Sequence, residues 1–161
     1  MAAQVSVGDI FEIVLGTGVA YVSFAGKDAI LGTAIWVVPT IFPTYQKDWT
    51  YVFSQKGYFV FYAIHTALRH RHLRRVGHSV DAIRWLPVLR RNAIQTDNVG
   101  HVTRWLITDG KMHLPKNDSD LTLEERCLPI SDMWNHKYLV AKIQAGWMPN
   151  DGDASFANSG L

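Results

Sequence analysis

The chain has 161 residues, a formal net charge of +2, and 48% hydrophobic against 19% charged residues. That composition fits one domain with a proper core and excludes disorder by composition, and the charge is too small to argue for nucleic acid by itself. The single cysteine, Cys127, excludes an intrachain disulfide and a structural zinc site built on cysteines.

The opening MAAQVSVGDI lacks the basic, apolar, small-residue order of a signal peptide. The longest uncharged run, residues 29–46, is interrupted by Pro39 and Pro43 and is short for a membrane span. A cytoplasmic protein without a membrane segment is therefore expected.

Residues 5–24 organise the rest of the chain. Phe11, Ile13 and Leu15 alternate with Ile10, Glu12 and Val14, the period of a pleated strand. Gly16-Thr17-Gly18 offers the positive-φ positions of a short hairpin loop, and Ala20, Val22 and Phe24 alternate with Val19, Tyr21 and Ser23 on the return. Gly26-Lys27-Asp28 reads as a turn, and residues 29–38 as a third strand, apolar enough to be covered on both faces. Residues 39–49 read as loop, 49–54 as a short strand and 58–64 as an aromatic strand. Residues 65–78 fit either a short helix or a turn leading into a strand at 73–76, and the second is preferred.

Pro87 disfavours a central strand over 81–89, and residues 91–99 read as loop. Residues 101–108, Asp109-Gly110 and 111–114 form a predicted hairpin, followed by loop over 115–120. Thr122 to Glu125 matches a capping box. The best helix spans 131–145, capped by Ser131, striped by Trp134, Tyr138, Ala141 and Ala145, and stopped by Gly146. The predicted fold is α+β: a mostly antiparallel, curved sheet or partial barrel with a C-terminal helix. It forms one domain over 1–149, with a flexible tail over 150–161.

Between residues 57 and 91, seven arginines (69, 71, 74, 75, 84, 90 and 91) face one aspartate, Asp81. This segment reads either as a phosphate-contacting surface or as solvated arginines pairing with the acidic C-terminal half. No nucleic-acid-binding motif accompanies it, so nucleic acid is an unfavoured partner. His65, His70 and His72 lie among arginines that repel a cation, and no metal site is expected.

Catalysis has no motif behind it: there is no nucleophile elbow, no phosphate-binding glycine loop and no paired metal-ligand helix. Gly16-Thr17-Gly18 leads into a strand rather than a helix, Cys127 beside Leu128 reads as a packed thiol, and Asp9 and Glu12 point to opposite strand faces. No catalytic residue and no cofactor is predicted. Residues 92–161 hold nine acidic against six basic side chains. Asp109, Asp118, Asp120, Glu124 and Glu125, near Trp105 and Trp134, read either as an electrostatically steered binding face or as a solvated surface.

Gly8-Asp9-Ile10-Phe11-Glu12-Ile13, the return Gly18-Val19-Ala20-Tyr21, the aromatic strand 58–64, and Val76-Gly77 before Leu86-Pro87 resemble, in that order, the Immunity protein 26 family. The likeness ends near Trp105, and the Arg- and His-rich segment 65–75 departs from the pattern. The resemblance implies a bacterial cytoplasmic protein that binds and occludes a cognate toxin domain, frequently a nuclease, with no catalytic residues of its own. On that basis Asp109, Asp118, Asp120, Glu124 and Glu125 would meet a basic nuclease, with Trp105 and Trp134 as desolvated anchors. The alternative surface is Arg69, Arg71, Arg74 and Arg75, meeting an acidic toxin or, as a nucleic-acid-binding module over 69–91, phosphates.

Overall fold

Alternation in the first strand carries through to the architecture. In the computed structural model, which describes residues 4–149, β1 (Asp9–Leu15) and β2 (Gly18–Asp28) pair antiparallel through a two-residue loop, Gly16-Thr17. Gly18 is required by close approach: a Cβ there would land on the carbonyl oxygen of Phe42. The chain continues through β3 (Gly32–Phe42), α1 (Trp49–Ser54), β4 (Tyr58–Tyr62), α2 (Ile64–Arg69) and β5 (Arg74–His78). After β6 (Arg90–Thr96), β7 (Val102–Thr108), β8 (His113–Asn117) and α3 (Leu123–Arg126) come β9 (Met133–Trp134) and α4 (His136–Gln144).

The fold is α+β, and antiparallel pairing dominates. One sheet has the order β5-β1-β2-β3-β4-β9, open at both edges, and a second has the order β6-β7-β8. Only β9 runs parallel to its neighbour, β4, among the paired strands described. The barrel is therefore not closed.

Both faces of the large sheet are covered, which explains the near-continuous apolar reading of β3 and buries both alternating sets of β2, a strand that runs on through the turn expected at 26–28. Phe11, Ile13, Val22, Ile35 and Val60 share the larger core with Trp105 and Ile107 of β7 and with Leu139 and Ile143 of α4. Ile10, Tyr21, Val38 and Phe42 face the other way, onto Val52 and Phe53 of α1 and onto Ala82.

Several expectations are corrected. Residues 49–54 are helical because the Asp48 side chain accepts from the Tyr51 amide at 3.0 Å and caps the turn, while Val52 and Phe53 bury. β3 runs past Pro39 to Phe42, since the register shifts between Tyr21↔Val38 and Val19↔Phe42 and a bulge asks no ladder bond of a proline. Residues 90–96 form β6 despite their polarity, as Arg90 and Arg91 are buried against their own partners. Pro115 sits inside β8, an edge strand, where a missing N–H is tolerated.

The last helix starts at His136, with Asn135 rather than Ser131 as its cap. Residues 130–134 are held extended instead: Ser131 N–H donates to the Arg91 carbonyl, and Trp134 pairs with Tyr62. Residues 65–78 take both readings in turn, α2 and then β5. Cys127 is exposed, not packed. The tail expected over 150–161 lies outside the described residues.

Candidate functional site

The β1–β5 register places two buried carboxylates opposite an arginine-rich edge strand. Phe11 pairs with Arg75, Glu12 with Arg74 and Asp9 with His78. Glu12, 3% exposed, accepts from Arg74 Nε. Asp9, fully buried, accepts from Arg75 Nη2 at 2.6 Å and from the Ser6 amide at 2.8 Å, and lies 3.0 Å from His78 Nδ1. Each carboxylate thus has its own counter-ion, and the two make no acid/base pair.

Upstream of β5 the chain leaves α2 through a tight cap. The His72 amide donates to the Ala67 carbonyl at 2.9 Å and the Arg71 amide to that of Leu68 at 3.1 Å, the paired bonds of a Schellman ending. The residue at its left-handed position is usually glycine. Here it is Arg71, at φ 58°, the one non-glycine residue with positive φ among those described.

This cap thrusts His70, Arg71 and His72 toward the start of α4. His72 stacks on His136 with ring centroids 4.2 Å apart and planes 6° from parallel, and His70 lies 5.9 Å from His72. The Tyr62 hydroxyl is 2.9 Å from His136 Nδ1. Burial, then the charge of His72, lowers the His136 pKa, and burial raises that of Tyr62. Both shifts favour the neutral forms.

An open groove of about 550 Å³ runs beside this stack, lined by Glu12, Tyr45, Arg71, Arg74, His72 and His136. The Arg74 guanidinium lies over the Tyr45 ring, 5.8 Å from its centroid. A second groove of about 270 Å³ shares His72 and His136 and continues past Ala63, Ala67 and Met133. Parallel stacking keeps the His72 and His136 lone pairs from converging on one ion, and among the described residues no group of three or more His, Cys, Asp or Glu could hold a metal.

The acidic set is not brought together as a free face. Asp109 accepts from the Lys111 and Met112 amides at 2.8 and 2.7 Å, which lower its pKa. Asp118 accepts from Trp105 Nε1 at 2.9 Å and pairs with Arg126, and Asp120 accepts from Asn117 at 2.9 Å. Glu125 closes the capping box with Thr122 and pairs with Lys116 at 2.6 Å, which lowers its pKa. Glu124 is exposed. Trp105 and Trp134 are core residues, 0% and 3% exposed, and neither offers an anchor to a partner. Trp134 belongs to a separate ring cluster with Tyr58, Tyr138 and Trp147.

The basic set divides. Arg69, Arg71, Arg74 and Arg75 are exposed. Arg84 donates to the Phe53 carbonyl at 2.8 Å, Arg90 pairs with Asp28 at 3.0 Å, and Arg91 is buried with its guanidinium 4.4 Å from the Trp105 ring. Residues 69–91 are therefore not one surface: Arg71 and Arg74 line one grooved surface, while Arg75, the next residue on β5, turns to Asp9 on the other face. Sequence reading missed Tyr45, Tyr62 and His136 as neighbours of that surface. The available signal was the excess of Arg and His over 65–75.

No family model, curated protein or solved structure matches this chain. No helix among the described residues is long and apolar enough to cross a membrane.

Proposed function

We propose that the chain is a binding protein that neutralises a cognate bacterial toxin by covering its surface, and that the contact is made by the basic segment 69–75, from the end of α2 to the start of β5, rather than by the acidic residues 109–125. The observation that carries this reading is Arg71, which stands exposed at a backbone position suited to glycine. Such locally strained positions cluster at ligand clamps, switch regions and other functional sites. The acidic residues argue the same way: four of the five accept bonds within their own sheet and turns, and Arg74 and Arg75 are likewise ion-paired, whereas the Arg69 and Arg71 side chains make no hydrogen bond or ion pair among the described residues.

A cationic loop suits an acidic partner. Toxins that cleave phosphodiesters with a divalent metal gather carboxylates at their centres. A guanidinium is a fitting counter-ion for such a cluster. Binding nucleic acid directly is the weaker reading, since Arg84, Arg90 and Arg91 are engaged internally.

The test is a titration of the chain against the toxin domain encoded beside it, with an Arg69→Glu/Arg71→Glu variant in parallel. A complex at micromolar concentration that weakens tenfold or more in the variant, and with rising salt, supports the proposal. Absence of a complex rejects it.

A further inference from the structure

We infer that the larger groove is a receptor for a phosphate monoester carrying a planar ring, of the size of a nucleoside monophosphate, with Arg74 as its fork. This stands whether or not the chain neutralises a toxin.

The first ground is preorganisation. Arg74 Nε is held by the buried carboxylate of Glu12, and the guanidinium carbon lies over the Tyr45 ring, 5.8 Å from its centroid. Its two Nη nitrogens make no hydrogen bond among the described residues, so the edge that grips oxyanions is left to the groove. An arginine fixed in this way recognises paired oxygens in a manner that lysine does not.

The second ground is donor count. Arg71 lines the same groove, and the His72 and His136 imidazoles stand on its wall. With Nδ1 of His136 against Tyr62, its Nε2 is the ring's other polar edge. The Arg71 guanidinium and the two Nη nitrogens of Arg74 by themselves carry more N–H donors than the two oxygens of a carboxylate accept. The three terminal oxygens of a phosphate monoester match them better. Glu12 offsets one arginine, which leaves the groove net positive.

The third ground is size and continuity. About 550 Å³ exceeds the needs of a free phosphate and lies within the roughly 300–1,000 Å³ of small-ligand sites. The adjoining groove shares the His72 and His136 rings with the larger one, and its walls include Ala63, Ala67 and Met133, apolar surface suited to a ring.

The experiment is calorimetric titration at pH 7 and low salt with AMP, adenosine and inorganic phosphate. AMP is expected to bind with a Kd of about 1 mM or tighter, and each fragment alone at least several-fold more weakly. Arg74→Lys, which keeps the charge and loses the fork, should weaken AMP about tenfold, and Tyr45→Ala, at an exposed position, severalfold. Glu12→Gln separates this account from simple charge attraction: it removes a negative charge, yet should weaken AMP because Arg74 is no longer held. Overturning results are absence of AMP binding at several times that concentration, inorganic phosphate binding as tightly as AMP, unchanged affinity in Arg74→Lys, or tighter binding in Glu12→Gln. If Glu12→Gln fails to fold, the Arg74→Lys and Tyr45→Ala variants decide alone.

Discussion

His72 and His136 lie face to face, 4.2 Å between ring centroids, although 64 positions separate them in the chain. His136 is the first residue of α4, where the positive end of the helix also disfavours a charged ring. Burial and His72 lower its pKa in the fold, whereas the unfolded ring binds its proton near pH 6.5. Between those two values the unfolded state holds more protons, so stability rises with pH. The contribution is complete above about pH 6.5 and is lost as pH falls toward the lowered folded value. Thermal melts between pH 7.5 and roughly 5 should show a falling Tm, and His136→Gln should flatten that slope. An unchanged slope in the variant would contradict the assignment.

Arg71→Gly should separate stability from function. Glycine relieves the left-handed backbone, with a gain of up to about 1 kcal/mol, partly offset by the looser unfolded chain. The same change removes a guanidinium from the groove and from the loop. Urea denaturation should therefore show equal or higher stability, while partner and AMP binding both weaken. A variant that is clearly less stable would mean that the Arg71 side chain supports the fold.

Trp105 has a structural role. Its ring is buried under the Arg91 guanidinium and its Nε1 donates to Asp118. Trp105→Ala should cost about 3–5 kcal/mol in urea denaturation. Asp118→Ala, which withdraws that acceptor from a buried N–H, should cost about 1–3 kcal/mol. Binding by the folded Asp118→Ala fraction should stay unchanged, since neither residue reaches the basic loop.

Much of the sheet was legible because local chemistry and burial agree there. β1 and β2 form where alternation was read, β4 where aromatic β-propensity placed a strand and β7 where a hairpin arm was expected, and Thr122 with Glu125 forms the capping box that its spelling announces. Elements whose reasons lie far away in the chain were not legible. β6 reads as polar loop until Asp28 and Trp105 receive Arg90 and Arg91, and Ser131 fails as a cap because Arg91 already binds its amide. The site follows the same rule. Arg71 and Arg74 stood out by composition, but Tyr45, Tyr62 and His136 join them only through strand register and the docking of α4.

Gly57 is a check on the packing of β3 against β4. A Cβ there would fall on the Val37 carbonyl and the Trp36 indole, whereas one at Gly16 would meet nothing within 4 Å. Gly57→Ala should lose roughly 1–3 kcal/mol. Gly16→Ala should stay within about 0.5 kcal/mol. Paired denaturation curves compare the two directly.

The proposed role of the basic segment 69–75 is to cover an acidic partner. The most direct measurement of that proposal is the affinity of any toxin domain encoded beside this chain for the native chain and for Arg69→Glu/Arg71→Glu at two salt concentrations. The account predicts micromolar or tighter binding that drops tenfold or more on charge reversal and falls with salt. Equal affinity for both chains, or none for either, would contradict it.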